Sequence, residues 1–267
     1  MNKELPIGVI DSGVGGLSVL KCLRQTLPDE QFIYIGDTAR TPYGSRSEAE
    51  VRAFVEEILS WLDRQQIKMA VIACNTITVL GTDTLQQQHK FPLIGMSKGE
   101  DLVLKASANK KIGVMATPFT VSTRAHEKAI LAKDPQAQVY LQPCPDFVPL
   151  IEKEILSGPE VQQAVAKYAA PLKAAGVDTV ILSCTHYPFI KNVIRDKFGA
   201  QVTVIDPAEA TAALTKNLLA DKDLLRISPA AESIICSTAD IARVKRLAEK
   251  MLPQDNYLYR QVSLAEK

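Results

Sequence analysis

The sequence has no long apolar run, little excess charge and few metal-binding residues. No segment approaches the roughly 18 to 20 apolar residues that a membrane-spanning helix needs. The formal net charge is only +1 over 267 residues, so neither nucleic acid nor a membrane surface is expected as a partner. The chain has three histidines and lacks both Cys-x-x-Cys and His-x-x-x-His spacings, so we expect no metal site.

The chain also lacks the features of a secreted protein. Its five cysteines are odd in number and widely spaced, which favours reduced thiols in a cytoplasm over a disulfide framework. The N-terminus shows no charged start followed by a long apolar core, so no signal peptide is predicted. An apolar content of 46% is typical of a globular protein with a substantial core. We therefore predict a cytoplasmic globular protein.

Short apolar strands alternate with helical patterns along most of the chain. This alternation predicts an α/β fold of βαβ units with mostly parallel sheets. Apolar residues from Val51 to Leu62 recur at three- and four-residue spacing, which indicates an amphipathic helix. The predicted strands are Ile7–Ile10, Gln31–Gly36, Met69–Ala73, Leu93–Gly95, Lys111–Met115, Gln138–Gln142, Thr179–Ser183, Gln201–Ile205 and Glu232–Cys236.

Two pairs of segments in the chain resemble each other. Residues 70–76 can be aligned with residues 180–186, and residues 7–12 with residues 112–117. Each member of the first pair is a short apolar run that ends in a cysteine and continues into small polar residues. The repeat predicts two similar doubly wound, Rossmann-like domains with the active site in the cleft between them. The first domain is predicted to comprise residues 1–97 and 208–267, and the second residues 98–207.

The two repeated cysteines, Cys74 and Cys184, are the main catalytic candidates. Ligands of doubly wound sheets bind beyond the carboxyl ends of the strands, where both cysteines are predicted to lie. Two thiols that face one substrate can remove a proton from one face of a carbon and return it to the other. A thiol acts as a base only when ionised, and we expect both cysteines to precede a helix that favours the thiolate. Asp11 and His186 are candidate proton partners, one for each cysteine.

The turn Asp11–Gly16 is rich in glycine and joins a predicted strand to a helix. It lacks the Lys-Ser/Thr pair of a phosphate-binding loop and the spacing of a dinucleotide fingerprint. Asp11 would also repel a phosphate, so an amino acid with both an ammonium and a carboxylate is the better guest. The helix starts that follow several strands favour such a carboxylate.

Other polar and thiol residues are predicted to have structural roles. Asp37 is expected to cap a strand end, and Arg40 to be a surface or interdomain cation. Cysteines outside matched pairs are most often buried core residues. We therefore expect Cys22, Cys144 and Cys236 to pack in the core, and His89 and His126 to lie at the surface.

Five motifs occur in order between Ile7 and about Ile205. They are Ile10–Leu17, Gly36–Gly44, Ala73–Thr76, Cys144–Glu152 and Cys184–Pro188. Together they resemble the motifs of the glutamate racemases, which belong to the cofactor-independent aspartate/glutamate racemase family.

The resemblance implies an isomerase that converts L-glutamate to D-glutamate without a cofactor, by a two-thiol acid/base mechanism. It identifies Cys74 and Cys184 as the acid/base residues, assisted by Asp11, His186 and Glu152. It implies a cytoplasmic homodimer that supplies D-glutamate for peptidoglycan synthesis, and hence for cell wall biogenesis and cell shape. The residues that it places around the substrate are Asp11, Ser12, Pro42, Tyr43, Gly44, Asn75, Thr76, Thr117, Thr120, Thr185 and His186.

The chain departs from the family pattern at three places, and alternatives stay open. Ile77 replaces a common alanine, Ser183 replaces a glycine, and Ser97-Lys98 replaces a Glu-Pro pair. The alternatives are a racemase of another amino acid such as aspartate, and a non-catalytic binding protein for an amino acid or nucleotide with buried, inert cysteines. The lack of Cys-x-x-Cys argues against a thiol–disulfide redox protein. No lysine lies in a recognisable setting for pyridoxal phosphate.

Overall fold

The computed structural model describes residues 2–229, 231–252 and 256–264. The chain divides into two compact units, one formed by Met1–Met96 and Ala208–Lys267 and the other by Ser97–Pro207. The boundary after Met96 lies one residue earlier than the predicted one. Over the described ranges, no helix is both long enough and apolar enough to cross a membrane.

The described residues form ten strands and twelve α-helices. The strands are β1 (Ile7–Asp11), β2 (Phe32–Gly36), β3 (Met69–Ile72), β4 (Leu93–Gly95), β5 (Lys111–Ala116), β6 (Gln138–Pro143), β7 (Thr179–Ser183), β8 (Thr203–Ile205), β9 (Ser233–Ser237) and β10 (Tyr257–Gln261). The helices are α1 (Leu17–Thr26), α2 (Glu48–Arg64), α3 (Asn75–Thr78), α4 (Asp83–Gln88), α5 (Glu100–Ala106), α6 (Pro118–Thr123), α7 (Ala125–Lys133), α8 (Phe147–Glu152), α9 (Pro159–Ala174), α10 (Lys191–Phe198), α11 (Ala208–Asp221) and α12 (Ile241–Met251). Two 3₁₀ helices cover Tyr43–Ser45 and Tyr187–Ile190.

The first unit contains a six-stranded sheet in the order β10-β9-β2-β1-β3-β4. All its paired strands are parallel, and β1 pairs with β2 on one side and β3 on the other. Strands β1, β2 and β3 are buried throughout, which explains their continuous apolar runs. Helix α2 begins with a Ser47–Glu50 capping box and contributes its apolar stripe to the same core, which includes Val51, Ile58 and Leu62.

The C-terminal residues complete this unit by returning to its first half. Helix α11 packs against α1, and β9 pairs with β2. Near the amino ends of the strands, the ammonium of Lys68 lies 2.6 Å from a carboxylate oxygen of Glu30, and both side chains are almost fully buried. The backbone N–H of Arg226 donates to the other carboxylate oxygen of Glu30, at 2.9 Å. This buried ion pair therefore also fixes the returning segment.

The second unit contains a four-stranded parallel sheet in the order β6-β5-β7-β8. Successive side chains of β7 point to opposite faces of the sheet. Leu182 packs with Cys184, Cys144 and α9 on one face, whereas Ile181 packs with Ile130 of α7 on the other. Two apolar cores thus cover the two faces, as expected for a parallel sheet between helices.

The predicted α/β fold with mostly parallel sheets is confirmed. All nine predicted strands form, with ends that differ from the predicted ones by at most two residues. Strand β10 was missed. The prediction that His126 lies at the surface is wrong, since only 2% of it is exposed. Cys144 and Cys236 are buried as predicted, but Cys22 is only partly buried because it lies at the edge of the apolar stripe of α1.

Candidate active site

The first group of site residues lies at adjacent strand ends in the first unit. Asp11 ends β1, and Cys74 follows the neighbouring strand β3 after one residue. The thiol of Cys74 donates to the hydroxyl oxygen of Ser12, with 3.6 Å between the heavy atoms. Asp11 is fully buried and accepts the N–H of Gly13 at 2.8 Å. The pairing of β1 with β3 is what brings these residues together.

The glycine-rich turn after β1 holds Asp11 and Ser12 close to the next strand. A Cβ on Gly36 of β2 would lie 2.2 Å from the carbonyl oxygen of Gly13, so a side chain cannot be accommodated there. The hydroxyl of Tyr34 donates to that same carbonyl at 2.7 Å. The turn is therefore fixed by close backbone contact as well as by a buried hydrogen bond.

Cys74 is the N-cap of the short helix α3, as the sequence predicts. Its carbonyl accepts hydrogen bonds from both the backbone N–H and the hydroxyl of Thr78, each at 2.9 Å. Asn75 and Thr76 begin the helix and are 4% exposed each. The side-chain Nδ2 of Asn75 is buried and makes no hydrogen bond to any described residue. Such a donor is suited to a substrate oxygen.

Asp37 is the acceptor of a buried hydrogen-bond network. Its carboxylate accepts from the hydroxyl of Tyr43, from Arg40 Nε at 2.6 Å and from the hydroxyl of Thr238 at 2.8 Å. Burial and the neighbouring charge of Asp37 raise the pKa of Tyr43, so its phenol stays protonated. Arg40 is partly exposed and also pairs with the exposed Glu57 at 2.6 Å, so this cation bridges two carboxylates of the first unit.

The second group of site residues lies at strand ends in the second unit. Cys184 directly follows β7 and is 6% exposed. Its sulfur lies 4.0 Å from Nδ1 of His186, and the other ring nitrogen, Nε2, lies 2.7 Å from a carboxylate oxygen of Glu152. Thr117 directly follows the neighbouring strand β5. Because Ala116 and Ser183 are register partners, Thr117 and Cys184 come at the same edge of the sheet.

The environment of His186 favours its charged form. Burial by itself lowers the pKa of this ring, but hydrogen bonds to Cys184 and Glu152 outweigh burial and raise the pKa well above its usual value. An imidazolium beside the sulfur stabilises a thiolate on Cys184. The three side chains can thus hold a base and its counter-charge in one buried group.

Thr117, Thr120 and Thr185 supply further buried polar groups near the ends of β5 and β7. The hydroxyl of Thr117 caps α6 by accepting the backbone N–H of Thr120 at 3.4 Å, and it donates to the hydroxyl of Thr120 at 3.1 Å. Pro42 is exposed and Gly44 is partly buried, on either side of the buried Tyr43.

Both cysteines precede a helical segment, but the segment after Cys184 is a 3₁₀ helix rather than an α-helix. The carbonyl of Cys74 is reached by the N–H of Thr78, four residues later, whereas the residue four after Cys184 is Pro188, which has no N–H. The carbonyl of Cys184 instead accepts from Tyr187, three residues later, at 3.0 Å. Because a 3₁₀ helix follows, the positive charge beside this thiol comes from His186 and not from the N-terminus of an α-helix.

The structure groups the predicted residues by unit. The first group holds Asp11, Ser12, Cys74, Asn75 and Thr76, and the second holds Thr117, Thr120, Glu152, Cys184, Thr185 and His186. Sequence reasoning missed Thr238, which reaches Asp37 from the returning C-terminal segment and has no local signal. Among the described residues, no three His, Cys, Asp or Glu side chains are grouped so as to hold a metal ion.

Known proteins of one family resemble this chain. Residues 7–215 match the Asp/Glu/Hydantoin racemase family. A glutamate racemase of a Nostoc species is 43% identical over 228 residues, which are 85% of this chain and 76% of that one. The crystal structure of a Bacillus anthracis glutamate racemase isoform gives a TM-score of 0.91 at 34% identity, covering 98% of this chain and 99% of that one. The Francisella tularensis glutamate racemase in complex with D-glutamate gives 0.88 at 34% identity, covering 98% of each chain.

Proposed function

Because the chain belongs to the Asp/Glu/Hydantoin racemase family, we propose that it interconverts L- and D-glutamate without a cofactor. The observation that carries this proposal is the pair of thiols at equivalent strand ends, each beside its own polar partner. Cys74 lies beside Ser12, and Cys184 lies beside His186. Both cysteines are free rather than joined in a disulfide.

In the proposed reaction the two thiols act on opposite faces of the substrate α-carbon. One cysteine, as thiolate, removes the α-proton and becomes a thiol, leaving a carbanion on the substrate. The other cysteine, as thiol, gives its proton to the opposite face and becomes the thiolate. The roles exchange when the opposite enantiomer is the substrate. For Cys184 the charged form is stabilised by the imidazolium of His186, which Glu152 stabilises in turn.

The groups around the thiols support binding of an amino acid. The buried carboxylate of Asp11 is suited to the substrate ammonium, which stays charged during the reaction. Asn75 Nδ2 and the hydroxyls of the buried threonines are suited to the substrate carboxylates. Donors that tighten on the developing carbanion and its conjugated carboxylate lower the barrier more than they stabilise the bound substrate. We assign Thr76, Thr117, Thr120 and Thr185 to this role, with Ser12, Pro42, Tyr43 and Gly44 completing the binding site.

Glutamate is the proposed substrate because the compared relatives are glutamate racemases. Two departures from the family pattern, Ile77 and Ser183, are fully buried. Ile77 packs in the core of the first unit, and Ser183 points to the face of β7 opposite Cys184. Their position argues for a packing role rather than a change of substrate. A site built around a distal carboxylate discriminates strongly against aspartate, since its buried partners are then left unpaired.

The test is incubation of the pure protein with each enantiomer of glutamate and of aspartate in D₂O, without added cofactor. We expect racemisation of glutamate with deuterium incorporated at the α-carbon, and a much lower kcat/KM for aspartate. Equal values, or a preference for aspartate, would assign the protein to a sister activity. No exchange with any amino acid would contradict the proposed function and favour a binding protein.

We further propose that the protein acts as a homodimer in the cytoplasm and supplies D-glutamate for peptidoglycan. The support is the family resemblance and the similarity to glutamate racemases. Light scattering is expected to give twice the chain mass of 29.2 kDa. Expression of the chain is expected to restore growth of a bacterium that lacks its own D-glutamate source, whereas a Cys74→Ser variant is not.

A further inference from the structure

Tyr187 links the turn that carries Cys184 to a neighbouring loop. It follows His186 directly and is fully buried. Its backbone N–H donates to the carbonyl of Cys184 at 3.0 Å. Its hydroxyl donates to the carbonyl of Cys144 at 3.2 Å, in the loop between β6 and α8. The proposed reaction assigns no role to this side chain.

The acceptor of this hydrogen bond is itself firmly held. The N–H of Cys144 donates to the carbonyl of Ala116 at 2.9 Å, at the end of the central strand β5. The thiol of Cys144 donates to the carbonyl of Gln142 at 3.4 Å, and burial raises the pKa of this thiol, so it stays neutral. The Cys144 carbonyl accepts one further bond, from the N–H of Phe147 at 3.4 Å.

The ring of Phe147 packs edge-on against two tyrosines. Its centroid lies 5.0 Å from that of Tyr187 and 5.2 Å from that of Tyr168. The hydroxyl of Tyr168 donates to Asp146, which lies outside the Cys184 turn. The two tyrosines therefore share an aromatic neighbour, but Tyr187 belongs to the turn that carries Cys184, whereas Tyr168 belongs to α9.

The segment from Cys144 to Glu152 thus holds the Cys184 turn at two points. Glu152 binds His186, and Cys144 binds Tyr187. We propose that Tyr187 is a positioning residue, whose hydroxyl fixes the Cys184–His186 turn so that the sulfur is aligned with the substrate α-proton. This inference rests on the proposed function.

The hydroxyl keeps this role when Cys184 is ionised. Burial, followed by the nearby charge of Cys184, raises the pKa of Tyr187 well above its usual value. The phenol therefore stays protonated and keeps donating to the Cys144 carbonyl. Loss of the hydroxyl removes one of the two hydrogen bonds, described above, by which the segment from Cys144 to Glu152 holds the turn.

The test compares Tyr187→Phe with the matched variant Tyr168→Phe. The probe is glutamate hydroxylated on its α-nitrogen, from which removal of the α-proton expels hydroxide to give an imine. Water then hydrolyses the imine to a 2-oxo acid and ammonia. Only one cysteine acts on each enantiomer, so each side of the site can be assayed separately. The enantiomer that Cys184→Ser no longer converts is the one whose α-proton faces Cys184.

We expect Tyr187→Phe to lower kcat about tenfold for that enantiomer, with KM nearly unchanged, because a misaligned base affects the transition state alone. For the other enantiomer, kcat of Tyr187→Phe is expected to stay within about twofold of the wild-type value. The control Tyr168→Phe is expected to keep kcat within about twofold of wild type for both enantiomers. Equal slowing of both enantiomers by Tyr187→Phe would show a general structural role and overturn the proposal, as would no effect on either. A wild-type protein that converts neither enantiomer would contradict the proposed function itself.

Discussion

His186 Nε2 lies 2.7 Å from the carboxylate of Glu152, and His186 is almost fully buried. The opposite ring nitrogen faces the sulfur of Cys184 at 4.0 Å. The imidazolium of His186 therefore lies between the carboxylate of Glu152 and the sulfur of Cys184. Cys74 lies beside the hydroxyl of Ser12 and at the start of helix α3. The two thiols are thus activated by different means.

We expect Glu152→Gln to weaken the Cys184 side of the site. The raised pKa of His186 means that its charge is retained at neutral pH and lost as pH rises through that pKa. Without the carboxylate the pKa falls, so the alkaline limb of the kcat profile should move to lower pH, with kcat at pH 8 reduced about tenfold. The measurement is kcat for each glutamate enantiomer across the pH range.

The control for this variant is Glu160→Gln, an exposed glutamate in the first turn of α9. It removes the same charge from the second unit but lies outside the group around His186. Its pH profile is expected to match that of the wild type. A profile of Glu152→Gln that also matches the wild type would show that His186 does not depend on this carboxylate.

His126 is expected to make the protein sensitive to acid. Burial, with a smaller effect of Lys98, lowers the pKa of this ring to about 4. Because the folded-state pKa lies below the unfolded value, the stability that neutral His126 provides is present above about pH 6.5 and is lost as pH falls toward 4. The loss is up to about 3 kcal/mol. Denaturant unfolding of the wild type and His126→Gln across this window measures it, and equal slopes against pH would contradict the assignment.

The Lys68–Glu30 pair is expected to matter mainly when it is broken on one side. Lys68→Met leaves the Glu30 carboxylate buried without its cation, and the free energy of unfolding should fall by about 3 to 5 kcal/mol. The double variant Lys68→Met/Glu30→Gln should recover a large part of this loss. Lys133→Met is the control, since its pair with Asp101 is exposed and its loss should leave the free energy of unfolding nearly unchanged. A double variant less stable than Lys68→Met would contradict the buried-charge explanation.

The strands and the two cysteine positions could be predicted from local sequence, because buried parallel strands require continuous apolar runs. Strand β10 was missed because only Tyr257 in it is buried, so its alternating residues do not form such a run. The burial of His126 was missed because its sequence neighbours are polar, while its position is set by packing of α7 on the sheet.

Sequence order predicts which polar residues follow the strand ends, but it does not predict hydrogen bonds between residues that are far apart in the chain. The polar residues after β1, β3 and β7 follow from the strands themselves. The bond from Thr238 to Asp37 joins residues 201 positions apart, and the bond from Tyr187 to Cys144 joins residues 43 apart. The 3₁₀ turn after Cys184 could have been predicted from Pro188, since a proline cannot donate the fourth-residue hydrogen bond.

The most direct test of the two-thiol mechanism uses Cys74→Ser and Cys184→Ser, with Cys22→Ser as the control. Serine is a far weaker base than cysteine, so each catalytic variant should lose racemisation of glutamate by at least about a hundredfold. Each should still eliminate hydroxide from one enantiomer of the N-hydroxylated substrate, and the two variants should retain opposite enantiomers. Racemisation near the wild-type rate by either variant, or retention of the same enantiomer by both, would contradict two thiols acting on opposite faces of one carbon.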